Sequence, residues 1–222
     1  MRVYATDWPQ DIKEARKIQS HLLKKIRLIP YTKPPTLIAG VDATFVRGNT
    51  IGVVVLYDLK ERTVIETAHA VTETNFPYIP GYLSFREGPA IVEAFRRLKR
   101  SPQVVIFDGQ GIAHPRGVGL ASHMGILLRM PSIGCAKSRL VGEYKEPSPE
   151  RGARSPLYLN GVVCGEVVRT RKNVKPVFVS PGHLIDIEGS TEIVLQTAFR
   201  YRLPEPIREA HNIASAIRKR FV

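Results

Sequence analysis

The amino-acid sequence predicts an α/β fold built on one mixed β-sheet with flanking helices. Three strand-like segments, at about 36–46, 50–57 and 63–71, follow one another through short turns, which indicates antiparallel neighbours. A helical pattern at 88–100 then leads to a strand at 103–108, and a strand reached through a helix is usually parallel to its neighbour. The first and fourth strands are therefore expected to lie side by side.

The later segments extend this sheet. A helix at 119–129 and a strand at 132–136 continue the parallel part. Asn160-Gly161 marks the turn of a hairpin, because this dipeptide favours the tight turns that join antiparallel strands. A strand near 176–180 is followed by a predicted loop at 180–183.

Three further helices are expected to cover the sheet. One precedes the first strand, with apolar residues at helical spacing between Ile12 and Ile26, and two follow the last strand at 190–201 and 206–219. The whole succession is the ribonuclease-H-like arrangement, with an additional C-terminal hairpin and helices. We expect one domain over residues 1–222.

The composition indicates a basic protein with an anionic partner. Lysine and arginine number 33 against 20 acidic residues, for a net charge of +13. Such a surface favours nucleic acid, although cationic surfaces also occur on proteins that have no such partner. No apolar run approaches the length of a membrane span, and no signal-peptide pattern opens the chain, so a cytoplasmic protein without membrane contact is expected.

Two aspartates interrupt segments that are otherwise apolar and strand-like. Asp42 lies within 37–45, and Asp108 ends 104–108. A carboxylate in such surroundings must protonate, meet a cation or bind a metal. Glu87, close to the expected helix start, would supply a third ligand. Oxygen ligands favour hard cations, so we expect these three acids to hold Mg²⁺, with Mn²⁺ as a substitute.

Two of the acids have a purely structural alternative. Ser84 and Glu87 have the spacing of a capping box, which would merely begin a helix. Pro89 argues against this alternative, because a proline fits best in the first turn of a helix and would sit badly in a helix begun earlier. Asp108 precedes a glycine, and Asp-Gly is also a common turn pair. Asp42, inside a strand pattern, has no comparably easy alternative.

A glycine-rich segment, residues 109–119, joins the fourth strand to the next helix. Its four glycines would let the backbone approach a ligand closely. It lacks the ending of a phosphate-binding P-loop, so a nucleotide cofactor is not expected. His114 and Arg116 are expected to face the ligand as cationic or hydrogen-bonding groups. Lys137, after the next strand, is a candidate to neutralise a phosphate oxygen, although an isolated lysine is otherwise a solvated surface group.

The segment 75–85 carries four aromatic residues among prolines and leads directly to Glu87. Prolines stiffen a loop, and a stiff loop can hold an aromatic ring out as a wedge or a stacking platform for bases. An ordinary loop that packs its aromatic residues on the core explains the segment equally well.

Three motifs together resemble the endonuclease V family. They are Pro77-Tyr-Ile-Pro-Gly-Tyr-Leu-Ser-Phe-Arg-Glu87, Phe107-Asp-Gly-Gln-Gly-Ile-Ala-His-Pro-Arg116 and Ile133-Gly-Cys-Ala-Lys-Ser-Arg-Leu-Val-Gly142. The resemblance extends from the strand of Asp42 to His211, which is nearly the whole chain.

The resemblance implies an enzyme that finds hypoxanthine, the deaminated form of adenine, and nicks the strand one nucleotide beyond it on the 3′ side. The cut, at the second phosphodiester bond, would leave 3′-hydroxyl and 5′-phosphate ends. The implied catalytic residues are Asp42, Glu87, Asp108, Lys137 and His211. Tyr78 would be the wedge beside the lesion. The expected nucleic-acid-binding residues are Tyr78, Leu83, Gly109, Gly111, His114 and Gly119.

Three residues qualify what the resemblance implies. His211 shares helical spacing with Ile207 and Ile217, so a buried structural histidine is an equal alternative to a site residue. Tyr82 stands where a smaller aliphatic residue is expected, and Val118 replaces a more usual aromatic residue. The two departures bear on substrate preference, not on the chemistry.

Metal-assisted in-line hydrolysis is the expected mechanism, with a monomer acting on inosine-containing DNA; RNA is an open alternative substrate. One rival function is a related ribonuclease-H-like nuclease acting on junctions or RNA–DNA hybrids, against which the stiff aromatic segment argues. The other rival is a noncatalytic nucleic-acid-binding protein, which would have no use for acids in apolar strands.

Overall fold

The structure, a computed structural model, describes residues 8–221, so residues 1–7 and 222 of the predicted domain lie outside the described residues. Its strands are β1 (Leu37–Val46), β2 (Asn49–Asp58), β3 (Thr63–Glu73), β4 (Val104–Phe107), β5 (Ser132–Ala136), β6 (Arg154–Leu159), β7 (Val162–Val168) and β8 (Val177–His183). Its helices are α1 (Ile12–Leu23), α2 (Leu83–Arg96), α3 (Leu120–Leu128), α4 (Ile187–Thr197) and α5 (Glu205–Lys219).

The strands form one mixed sheet in the order β3-β2-β1-β4-β5-β8-β7-β6. β1, β2 and β3 are an antiparallel meander, as the short connections between them predict. β4 lies parallel to β1, with Phe107 opposite Val41, and β5 lies parallel to β4. The predicted mixed sheet and the pairing of the first and fourth strands are therefore confirmed.

Helices cover both faces of the sheet, and the alternation of apolar residues along each strand decides which helix packs where. Val41 of β1 lies in a buried cluster with Ile91 of α2, whereas Ile38 lies in a second cluster with Ile207 of α5. Because successive side chains of a strand point to opposite faces, Asp42 shares the α5 face with Ile38. Among the described residues, no helix has the length and apolar character needed to cross a membrane.

The C-terminal half adds an antiparallel hairpin to the sheet. Asn160 and Gly161 form its turn with φ angles of 52° and 78°, and positive φ at both positions is the geometry that this dipeptide predicts. The predicted loop at 180–183 is wrong, because these residues continue β8 and pair with β5. The register of that pairing shifts next to Pro181, and a β-bulge is a place where a sheet accepts proline.

The second helix begins earlier than the sequence pattern predicts. Periodicity and Pro89 predict a start near residue 88, whereas α2 starts at Leu83 and holds the proline in its interior. A proline there removes one backbone hydrogen bond and crowds the preceding turn. Phe85 and Ile91, on either side of it, are both buried, and this packing keeps the helix on the sheet.

Candidate active site

Two carboxylates meet at the C-terminal end of β4, in the interior of the sheet. Asp42 lies on β1, and Asp108 directly follows β4, where its N–H donates to the Val41 carbonyl at 3.1 Å. Both side chains are mostly buried. The parallel pairing brings them together, because Val41 lies opposite Phe107 and each aspartate is the next residue of its chain segment.

His211 reaches the same point from α5. The first turn of α5 crosses directly over β1 at Gly40, where a Cβ would lie 2.1 Å from the backbone of Pro206. This close approach, which glycine alone permits, places His211 Nδ1 2.8 Å from Asp42 Oδ2. Half of the histidine side chain, 51%, is exposed, whereas Ile207 is buried. The alternative of a buried structural histidine is therefore wrong.

The cluster brings two acids together with a histidine and a lysine. Within residues 8–221, ligand atoms of Asp42, Asp108 and His211 all lie within 4.8 Å of one another. Lys137, which follows β5, places its Nζ 2.6 Å from Asp108 Oδ2. Burial and the nearby Asp108 raise the pKa of Asp42, and His211 offsets part of that rise. Such a set of oxygen and imidazole donors suits a divalent cation.

Glu87 lies beside this cluster. It is buried on α2, which packs on the sheet face opposite α5, so its carboxyl approaches from the other layer. Burial raises the pKa of Glu87 well above its ordinary value, and Asp42 and Asp108 raise it further. The capping-box alternative is wrong, because Ser84 lies inside α2 and its hydroxyl is bonded to Nδ1 of buried His123 at 2.9 Å. The role of Glu87 as a metal ligand stays a prediction.

A cavity of about 210 Å³ adjoins the carboxylates. Gly109, the residue after Asp108, forms part of its wall. The predicted residues that line it are Tyr78, Leu83, Gly109, His114 and Gly119. Ser138, Arg139 and Leu140 also line it and are absent from the sequence prediction. Their position directly after Lys137, inside the third motif, is the signal that could have found them.

Gly111 is not brought to the cavity. It lies where the glycine-rich segment crosses β8, and a Cβ there would lie 2.1 Å from the carbonyl oxygen of Pro181. Its N–H donates to Ser180 Oγ at 2.8 Å. This glycine permits close packing of backbone on backbone, and its predicted contact with nucleic acid stays a prediction.

His114 is bonded to protein groups, and its environment favours the hydrogen-bonding form over the cationic form; its contact with nucleic acid stays a prediction. Burial and the nearby Arg116 lower its pKa to about 4. Its Nδ1 accepts from the backbone N–H of Arg116 at 3.2 Å, which assigns the proton to Nε2, and Nε2 donates to the Gly81 carbonyl at 3.0 Å. The guanidinium of Arg116 lies over the ring of Tyr82, 4.0 Å from its centroid, instead of facing the cavity mouth as a free cation.

The four aromatic residues of segment 75–85, all within the described part of the chain, differ in burial. Phe76, Tyr82 and Phe85 are buried against one another, with ring centroids 5.7 to 6.4 Å apart. Tyr78 is 69% exposed at the cavity. The alternative of core packing therefore describes three of the rings, whereas Tyr78 is free to meet a ligand.

The sheet order, with Asp42 inside β1 beside Asp108 at the end of β4, defines a protein of the ribonuclease-H-like class. The family model described as Endonuclease V matches residues 20–212. An endonuclease V of Geotalea uraniireducens is 50% identical over 212 residues, which cover 96% of this chain and 91% of the relative. The chain belongs to the endonuclease V family.

Solved structures agree with this assignment. The crystal structure of endonuclease V from Streptomyces avermitilis has a TM-score of 0.92 and 37% identity, covering 96% of this chain and 95% of that chain. The crystal structure of Ciona intestinalis endonuclease V, in complex with a 24mer DNA containing an inosine followed by a ribo-adenosine, has a TM-score of 0.83 and 26% identity. That alignment covers 95% of this chain and 99% of the other.

Proposed function

We propose that this chain is a metal-dependent endonuclease of deaminated-base repair. It hydrolyses the second phosphodiester bond on the 3′ side of inosine and leaves 3′-hydroxyl and 5′-phosphate ends. The observation that carries the proposal is the adjacency of cluster and cavity: Asp108 belongs to the carboxylate cluster, and the next residue, Gly109, lines the cavity. A base held in the cavity would keep its own strand close to the carboxylates.

The chemistry of the donor set supports a hard divalent cation. Asp42 and Asp108 would hold Mg²⁺, or Mn²⁺ in its place, with Glu87 as a further oxygen ligand and His211 beside them. Burial and then the neighbouring acids raise the pKa values of Asp42 and Glu87, so a bound cation would favour their charged forms. Mg²⁺ bound there would act as a Lewis acid and lower the pKa of a water molecule.

The protein's own groups position the substrate. Lys137, held at Asp108, presents an ammonium to the phosphate on which charge develops during cleavage. The His211 ring is oriented by its bond to Asp42. The net charge of +13 supplies the sequence-independent attraction to the phosphate backbone.

Base selection takes place in the cavity. Inspection requires the base to leave the stack at a cost of a few kcal/mol, and this cost is lower for a mispaired hypoxanthine than for a normal base. The exposed ring of Tyr78 would occupy the gap that the base leaves. The Ciona intestinalis relative crystallised with inosine-containing DNA supports this choice of ligand.

Cleavage of a panel of labelled substrates tests the proposal. We expect the protein, acting as a monomer in the cytoplasm, to nick an inosine-containing DNA duplex in the presence of Mg²⁺ and to leave the matched undamaged duplex intact. An inosine-containing RNA in the same panel decides between DNA and RNA. Preferred cleavage of a four-way junction or an undamaged RNA–DNA hybrid would favour the rival nuclease. Binding without cleavage of every substrate would favour a noncatalytic protein.

A further inference from the structure

One backbone carbonyl, that of Gly81, is held from two distant parts of the chain. Among the described residues its donors are Gln19 Nε2 at 2.9 Å, His114 Nε2 at 3.0 Å and Arg116 Nη2 at 2.5 Å. Gln19 comes from α1, whereas the other two come from the glycine-rich segment. Three residues before this carbonyl stands the exposed ring of Tyr78.

We propose that Gln19 and Arg116 are positioning residues for lesion recognition: they fix the Gly81 carbonyl and thereby hold residues 77–81, the Tyr78 loop, in the conformation that meets the DNA. The proposal rests on the function proposed for Tyr78 and the cavity. In this proposal α1 supports the Tyr78 loop through Gln19.

Gln19 is built into this position. It is 1% exposed, and besides the Gly81 carbonyl its amide nitrogen is 3.3 Å from the carbonyl oxygen of Val118, which lies in the cavity wall. Its side-chain oxygen accepts from Nε of Arg116 at 2.5 Å. One amide therefore ties together α1, the Tyr78 loop and the glycine-rich segment. A buried amide with all of these partners has little freedom to reorient.

The loop itself is shaped to receive these donors. Gly81 has φ of +80°, a conformation that favours glycine, and a Cβ there would lie 2.7 Å from Arg116 Nη2. The guanidinium of Arg116 is also stacked on Tyr82, the N-cap residue of α2. The N–H of Tyr82 donates to the Ile79 carbonyl at 3.0 Å and closes the turn. The same contacts therefore fix the loop and the start of the helix that carries Leu83 and Glu87.

A fixed loop matters because the exposed Tyr78 ring would make its contacts only when DNA binds. A mobile loop would have to lose conformational freedom on binding, which weakens every contact that its ring makes. Rigidity gained from Gln19 and Arg116 should therefore appear as discrimination between damaged and normal duplexes, and not as general affinity, which comes from the basic surface.

A double-mutant cycle with Tyr78 tests the inference. Gln19→Leu removes the amide at similar side-chain size, and we expect it to lower the ratio of kcat/KM for inosine-containing over undamaged duplex about tenfold. In a Tyr78→Ala background, which lowers the same ratio by itself, Gln19→Leu should cause no further loss. Thr197→Val, which removes a buried side-chain hydrogen bond in α4, is the matched control and should leave the ratio unchanged. Losses that simply add in the double variant would overturn the inference.

Hydrogen exchange supplies a readout that does not depend on cleavage. The backbone N–H groups of Tyr78, Ile79, Gly81 and Tyr82 should exchange faster in Gln19→Leu than in the wild type and in Thr197→Val, and unchanged exchange would overturn the positioning role. Arg116→Lys, which keeps the charge and loses the two-pronged donor, takes the place of Gln19→Leu if that variant does not fold. A wild type without preference for inosine would refute the proposed function, and the exchange result would still decide whether these residues fix the loop.

Discussion

Replacing Lys137 with alanine separates a group that acts on the transition state from an ordinary surface cation. Its Nζ lies 2.6 Å from Asp108 Oδ2, but 44% of the side chain is exposed. Water at the exposed Lys137 end screens the pair, although Asp108 is mostly buried, so the free energy of unfolding should fall by roughly 1 kcal/mol. Its backbone should stay in place, because Arg202 Nη2 donates to the Lys137 carbonyl at 2.6 Å.

The expected effect on the cleavage rate is much larger than the effect on stability. A donor that stabilises charge formed only in the transition state typically contributes about 10²-fold or more, which corresponds to about 2.7 kcal/mol. We therefore expect Lys137→Ala to lower the single-turnover rate at saturating enzyme by about 10²-fold, with a far smaller fall in affinity for inosine DNA.

Lys60→Ala is the matched control. Lys60 is an exposed lysine beside an acid, Glu61, in the turn after β2, and β2 ends opposite Leu37, the first residue of β1. Its replacement should leave the rate unchanged. If Lys137→Ala shows an unchanged rate, with only a slightly weaker affinity for every duplex and a salt slope smaller by about one, the assignment to the phosphate is refuted.

Three further predictions concern the neighbouring groups. Tyr78→Ala should weaken discrimination between inosine-containing and normal strands by roughly 1–3 kcal/mol in paired binding assays, with little change in salt-sensitive affinity. Burial, Asp42 and Asp108 raise the pKa of Glu87, so the free energy of unfolding falls as pH rises above the pKa of a glutamate in the unfolded chain. Glu87→Gln should therefore abolish cleavage and, in EDTA at pH 7, raise the free energy of unfolding by roughly 1 kcal/mol, about 2–4 °C in Tm. Burial lowers the pKa of His123 to about 3, so the free energy of unfolding falls as pH drops below 6.5, the pKa of a histidine in the unfolded chain. Urea titrations at about pH 7 and pH 4.5 should show that His123→Gln reduces this fall by about 2–3 kcal/mol.

The strand arrangement could be predicted because its signals are local. Short connections between apolar strands specify the meander, and a strand–helix–strand connection specifies a parallel neighbour, so the meeting of Asp42 and Asp108 followed from the sequence. The start of α2 could not be predicted in the same way. Pro89 is a strong local signal against an early start, and the buried residues around it override that signal only through packing on the sheet.

The electrostatic state of the site depends on contacts that are distant in sequence. His114 has the sequence neighbours of an ordinary loop histidine, and burial in the folded protein is the main reason that its pKa is lowered. Gln19 carries no local signal at all, because its partners Gly81 and Arg116 are 62 and 97 residues away. His211 faces the carboxylates and not the core because Gly40 lets α5 cross β1 closely, a fact of packing that helical spacing does not contain.

The most direct test of the central claim is a single-turnover cleavage assay on a 5′-labelled duplex with one inosine, run with wild type, Asp108→Asn and Asp58→Asn, with Mg²⁺ and with EDTA. Asp58, the last residue of β2, accepts from the N–H of Lys60 and is the matched aspartate outside the cluster. We expect wild type and Asp58→Asn to produce one Mg²⁺-dependent nick at the second phosphodiester bond 3′ to inosine. We expect Asp108→Asn to bind the duplex and leave it uncut. Full Mg²⁺-dependent cleavage by Asp108→Asn, or equal cleavage by the wild type in EDTA, would contradict the account.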